Sequence, residues 1–173
     1  MVVIITGATH TGKTRLAQLM LEKYCWPYSS EDHLKMGLIR SGYTDLTPLD
    51  DREMTEYLWP VVREMIKTVI ENKQNLIVEG CYIPFDWQDS FSEEYLREIR
   101  FICLCFSDGY IDRHFDDIMQ NASCVESRLY EDDCTKEILK RENKFYCEGF
   151  ENHGLDVITI DNHYIEKIIE VIG

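Results

Sequence analysis

Residues 2–15, VVIITGATHTGKTR, hold the most specific chemistry in the chain. Gly7, Gly12, Lys13 and Thr14 fill every fixed position of G-x-x-x-x-G-K-[ST]. Glycines at those points let the backbone turn its N–H groups inward, forming a cradle at a helix N-terminus where the dipole favours negative charge. A lysine one step later reaches the outer phosphates of a nucleoside triphosphate, and a hydroxyl beside it suits Mg²⁺. The residues expected to line the nucleotide are therefore Gly7, Thr9, His10, Thr11, Gly12, Lys13, Thr14 and Arg15, with Thr14 as the metal ligand. His10 occupies a variable position of the pattern, where many residues are tolerated.

Such a loop must lie between a buried strand and an amphipathic helix. The flanks comply: VVIITG is apolar, and residues 13–24 place Leu16, Leu19 and Met20 on one helical face. Further short apolar runs, WPYSS (26–30), NLIVEG (75–80), RFICLCFS (100–107) and DVITID (156–161), alternate with helical patterns. That rhythm predicts a parallel α/β sheet covered on both faces. Residues 54–70 repeat apolar side chains at helical spacing, with Pro60 expected to kink the element or to start its second half. Helices are also expected near 108–121, 134–147 and 163–171. With 173 residues and 45% apolar composition the chain suits one domain, 1–173.

Other signals narrow the class. A guanine-specific GTPase would show N-K-x-D after a late strand, but the Asn72-Lys73 pair continues as Gln74-Asn75 and precedes the third apolar run. RFICLCFSD reaches its aspartate only through Ser107, and the chain is short for a motor ATPase. The net charge is −14, of which residues 81–173, with 9 basic and 21 acidic side chains, carry nearly all. Nucleic acid and anionic membranes are bound mainly through Lys and Arg, so neither is an expected partner. The opening run has no basic flank and ends at Gly7, so the cytoplasm is the expected location. Seven cysteines without a CxxC pair, two of them inside an apolar run, read as free thiols.

On the loop and this arrangement of elements the chain resembles the compact P-loop kinases, the group of adenylate, shikimate and gluconate kinases and the zeta-toxin-like phosphotransferases. The resemblance implies a three-layer P-loop NTPase fold, with a five-stranded parallel sheet of order 2-3-1-4-5, helices on both faces and a short lid. It also implies ATP and Mg²⁺, with the second and third strands ending in acidic residues that face the acceptor. YSSEDHLKMG offers Asp32, with Glu31 taking the place if the strand ends one residue earlier, and NLIVEGCYIPFDW offers Glu79. The acceptor segment would be 33–59 and the lid 121–133. That lid is short and acidic, with Arg128 its only basic residue, and so departs from nucleotide kinases, which place several arginines there. DHLKMGLIRSG has a second resemblance, to short bacterial proteins labelled 2-phosphoglycerate kinase or adenylate-kinase-like.

Residue chemistry fits those assignments. Phosphoryl transfer needs positioning more than base strength, so a carboxylate such as Asp32 suffices, although Asp is equally at home as a helix N-cap. Glu79 ends an apolar strand at the carboxyl edge of the sheet, where a carboxylate is costly unless it meets a cation, a metal or a donor. Arg40 could fork a phosphate or carboxylate of the acceptor, or simply close a helix. Arg128 is the lid candidate for transition-state charge, with Arg113 and Arg141 as rivals. The expected function is ATP-dependent phosphoryl transfer to a small-molecule or nucleotide acceptor, with Lys13, Asp32, Glu79, Arg128 and Arg113 as the catalytic set. A nucleotide-binding sensor without metabolite turnover and a zeta-toxin-like kinase of a sugar nucleotide are the alternatives.

Overall fold

The computed structural model describes residues 1–122 and 134–172. Five parallel strands form one sheet: β1 (Val2–Gly7), β2 (Tyr28–Ser30), β3 (Leu76–Glu79), β4 (Ile99–Phe106) and β5 (Ile158–Ile160), in the order β2-β3-β1-β4-β5. This is the expected 2-3-1-4-5 sheet. Around it run α1 (Lys13–Tyr24), α2 (Glu31–Arg40), α3 (Asp51–Glu71), the single turn α4 (Glu93–Leu96), α5 (Asp108–Asn121), α6 (Lys136–Glu151) and α7 (Tyr164–Ile172).

The period of two along β1 divides its side chains between two cores. Val3 and Ile5 pack with Leu16, Ala17 and Met20 of α1, with Ile111 of α5 and with Ile168 of α7. Val2 and Ile4 face the other way, against Trp59, Val62 and Ile66 of α3 and Phe150 of α6. β1 is therefore buried along its whole length, which fixes the loop after it at the carboxyl edge of the sheet. A smaller cluster of Met54, Leu58 and Tyr82, with Leu34 and Leu38 against it, joins α2 to the start of α3 beside that edge.

Pro60 does not start a separate helix. α3 runs unbroken from Asp51 to Glu71 with Pro60 inside it. Proline removes the hydrogen bond to the carbonyl four residues back, and here both Glu56 and Pro60 are exposed, so the orphaned carbonyl lies on the solvent side. Met54, Leu58, Val62 and Ile66 on the opposite face are buried and hold the helix to the sheet. Tertiary packing outweighs the local penalty. No described helix is long and apolar enough to cross a membrane.

Candidate active site

The loop from β1 to α1 has the geometry of an anion cradle. Gly7 has φ +130° and Gly12 φ +84°, regions that side chains rarely adopt. Space forbids a side chain as well: a Cβ on Gly7 would meet the Leu104 carbonyl, and one on Gly12 would meet the Tyr164 hydroxyl. His10 also sits at positive φ, +65°, within the same turn. Thr11, fully buried, donates to the Ala8 carbonyl at 2.8 Å and closes the loop on itself. Gly12 is the N-cap of α1 and no side chain among the described residues caps that helix, which leaves its first amides open to a ligand.

Lys13 and Thr14 open α1 and reach in different directions. Lys13 Nζ lies back across the loop and donates to the Ala8 carbonyl at 2.8 Å. Thr14 Oγ1 donates to Glu79 Oε2 at 3.3 Å. Glu79 is the last residue of β3, held between Ile5 of β1 and Ser30 of β2 by the register of the sheet, and is 2% exposed. A hydroxyl and a buried carboxylate at the mouth of a phosphate cradle form an oxygen donor set suited to a hard cation such as Mg²⁺.

At the end of β2 the structure separates the two acidic candidates. β2 ends at Ser30, and Glu31 opens α2 as a buried residue, 2% exposed. Its Oε2 accepts the Tyr82 amide at 2.9 Å, and the approach is close enough that a Cβ on Gly80 would strike this carboxylate. Among the described residues Oε1 has no hydrogen-bond partner. Burial pushes the Glu31 carboxyl up to about 8; Glu79 and Asp32 push the same way, while the Tyr82 amide and Lys13 oppose. Asp32, its side chain 41% exposed, instead pairs with Lys35 Nζ at 2.7 Å. So Glu31 occupies the inner place beside Glu79, and Asp32 the outer one.

Sequence reasoning missed the network around Lys35. This lysine is buried in α2, donates to the Tyr82 hydroxyl at 2.5 Å and lies 4.8 Å from the centre of that ring. Tyr82 Oη in turn donates to Asp51 Oδ1, the first residue of α3, at 3.2 Å. Asp32, Lys35, Tyr82 and Asp51 thus tie α2, the turn after β3 and α3 into one polar wall. Of the three aromatics in CYIPFDW only Tyr82 serves this wall. Trp87 stacks on Phe101, and Phe85 packs on Phe145 and Phe150.

α6 closes the far side. Asn143, buried, accepts the Phe106 amide at 2.7 Å and donates to the Leu139 carbonyl at 2.8 Å, pinning α6 to the end of β4. Tyr146 Oη donates to the Cys81 carbonyl at 3.1 Å. Burial pushes the Cys81 thiol up to about 12, so it is a packing group and not a nucleophile. Glu142 is half-buried and raised by burial and by Asp51, against Arg141 and Lys13.

The arginines do not converge here. Arg113 donates to the Asp161 carbonyl at 2.7 Å and to Asn162 Oδ1 at 3.1 Å, joining α5 to the turn after β5. Arg40, the last residue of α2, Arg15 and Arg141 are exposed, without an ion-pair partner among the described residues. Arg128 and the expected lid from 123 onward lie outside the described residues. Tyr164 Oη, from the turn that Arg113 grips, donates to the Thr11 carbonyl at 3.5 Å, so that turn adjoins the cradle.

No family model matches the sequence, and neither does any curated protein. The fold does have solved relatives. The chain superposes on a deoxyadenosine kinase from M. mycoides with a TM-score of 0.59 at 16% identity, covering 99% of this chain and 96% of that one. A gluconokinase from Sinorhizobium meliloti matches with a TM-score of 0.53 at 12% identity, over 98% and 88%. The chain has the fold of the P-loop small-molecule kinases.

Proposed function

We propose that this protein is a phosphotransferase that moves the terminal phosphoryl group of ATP to a hydroxyl of a small acceptor. The observation that carries the reading is the Thr14–Glu79 contact: a buried carboxylate meets the loop hydroxyl at the mouth of an uncapped, glycine-shaped anion cradle. Kinases of small metabolites among the solved relatives support the same class.

The loop amides and Lys13 hold the phosphate chain and balance the charge that gathers on the transferring group. Thr14 and Glu79 would hold Mg²⁺, which when bound neutralises phosphate charge and fixes its geometry. Glu79 is oriented for this by its place in the sheet. Asp32 faces outward on the acceptor side, where it positions the attacking hydroxyl and takes its proton. Lys35 and Tyr82 hold Asp32 and Asp51 in register, so the acceptor meets a wall fixed before it arrives.

The test is acceptor-dependent release of ADP from ATP and Mg²⁺, run beside Lys13→Ala. The expected result is a compound that raises turnover far above idle hydrolysis in the native protein and not in the variant. Full phosphoryl transfer by Lys13→Ala would overturn the mechanism. Tight ATP binding with no acceptor response across neutral and charged hydroxyl compounds would favour a nucleotide sensor.

A further inference from the structure

Ser30 ends β2 and is the N-cap of α2, with φ −85° and ψ 128°. Serine at that position ordinarily accepts a hydrogen bond from an amide two or three residues further on. Ser107 and Thr135 do this at the starts of α5 and α6, where they accept the Tyr110 and Ile138 amides. Ser30 makes no such bond. It is 4% exposed, and among the described residues its Oγ has no hydrogen-bond partner of any kind. A buried hydroxyl in that condition destabilises a fold, so stability does not account for a serine here.

The sheet fixes what this residue stands beside. β2 pairs with β3 in the register Tyr28 to Ile77, Ser29 to Val78 and Ser30 to Glu79. Tyr28 and Ile77 belong to the core on the α1 side of the sheet, and the period of two returns Ser30 and Glu79 to that same side. Thr14 of α1 meets Glu79 there. Glu79 is therefore flanked by two hydroxyl residues: Thr14 from the helix behind the phosphate loop, and Ser30 one strand spacing away, about 5 Å.

A carboxylate that serves a cation through one oxygen is held in place by donors to the other, and such donors set metal affinity. Resting on the metal site of the phosphotransferase reading, we infer that Ser30 is a positioning residue for Glu79: its hydroxyl donates to the Glu79 carboxylate and fixes it for Mg²⁺ when the cradle is loaded. While it stays unbonded, the same hydroxyl costs stability, a trade common where function needs a group that the fold does not.

Ser30→Ala tests this in the full chain through two measurements with opposite expected signs. Mn²⁺, which shares the oxygen preference of Mg²⁺, is titrated into protein saturated with ADP, and the bound metal is read by electron paramagnetic resonance. The variant should bind Mn²⁺ about tenfold more weakly, the lower end for loss of a metal ligand's hydrogen-bond partner, while its affinity for ADP without metal stays that of the native protein. Denaturant unfolding without ligands should give a midpoint at or above the native one, since the change removes a buried hydroxyl that bonds to nothing. A lower midpoint, or a chain that fails to fold, would make the hydroxyl structural and overturn the inference. So would equal Mn²⁺ affinity, or an equal loss of ADP affinity without metal, since either places Ser30 outside the metal site. Native protein that takes up no Mn²⁺ with ADP would overturn the inference together with the metal site it rests on. The expected weakening in a protein that releases no ADP with any acceptor would defeat the phosphotransferase reading and leave the role of Ser30 standing.

Discussion

Thr14 Oγ1 stands 3.3 Å from Glu79 Oε2, so the residue that opens the first helix and the residue that ends the third strand, 65 positions apart, meet at one point. If that point holds Mg²⁺, the two side chains act as a unit. Thr14→Ala and Glu79→Gln should each raise the Mg²⁺ concentration needed for half-maximal turnover by roughly 10–100-fold, the usual cost of disturbing a metal's oxygen shell. The double variant should be little worse than either single one. Magnesium titrations of ADP release check this, and additive losses would show that the contact is structural only.

The Glu31 carboxyl, raised by burial from 4.5 to about 8, makes a pH prediction for the metal-free protein. Below about pH 4.5 both the folded and the unfolded chain hold this proton, and the group costs nothing. Between there and about pH 8 the unfolded chain releases it while the folded one keeps it, so stability falls as pH rises, by at most about 1.4 kcal/mol per unit. Above about 8 both are ionised and the loss levels off. Glu31→Gln should remove that slope, and unfolding midpoints between pH 5 and 8 would show it. The same decline in native protein and variant would assign it to another group.

The loop, the five strands and Glu79 were legible because each is a local signal: a motif, an apolar run, a charge at a run's end. What escaped was which way a side chain faces. Glu31 and Asp32 are consecutive acids, and only the entry of α2 at Ser30 decides that the first is buried beside Glu79 and the second pairs with Lys35. The joining of Lys35, Tyr82 and Asp51 into one network was not legible, since their contacts span 47 and 31 residues and join three elements. At Pro60 the sequence allowed a helix boundary, and none formed. A valid local rule lost to the burial of Met54, Leu58, Val62 and Ile66.

Asn143 supplies a stability prediction independent of the chemistry. Its carboxamide satisfies the Phe106 amide at 2.7 Å in a buried setting. Asn143→Leu keeps the approximate volume and strands that N–H, which should cost about 1–3 kcal/mol. Denaturant unfolding measures the loss. A change within about 0.5 kcal/mol would mean that the amide finds another partner when α6 relaxes.

Tyr82→Phe separates the acceptor wall from the nucleotide cradle. The phenol oxygen takes a hydrogen bond from Lys35 and gives one to Asp51, while the ring, 2% exposed, packs with Met54 and Leu58. Removing only the oxygen preserves the packing but frees Lys35 and Asp51 from each other. The acceptor should then bind a looser wall, with its KM raised by roughly three- to tenfold, equivalent to one ordinary hydrogen bond of about 1 kcal/mol. The KM for ATP should stay unchanged, because no loop residue touches this hydroxyl among the contacts described. Steady-state kinetics with each substrate varied in turn distinguishes the cases: an equal rise in both constants would place Tyr82 in the general stability of the site, and a fall in kcat alone would make it part of the transition-state contacts.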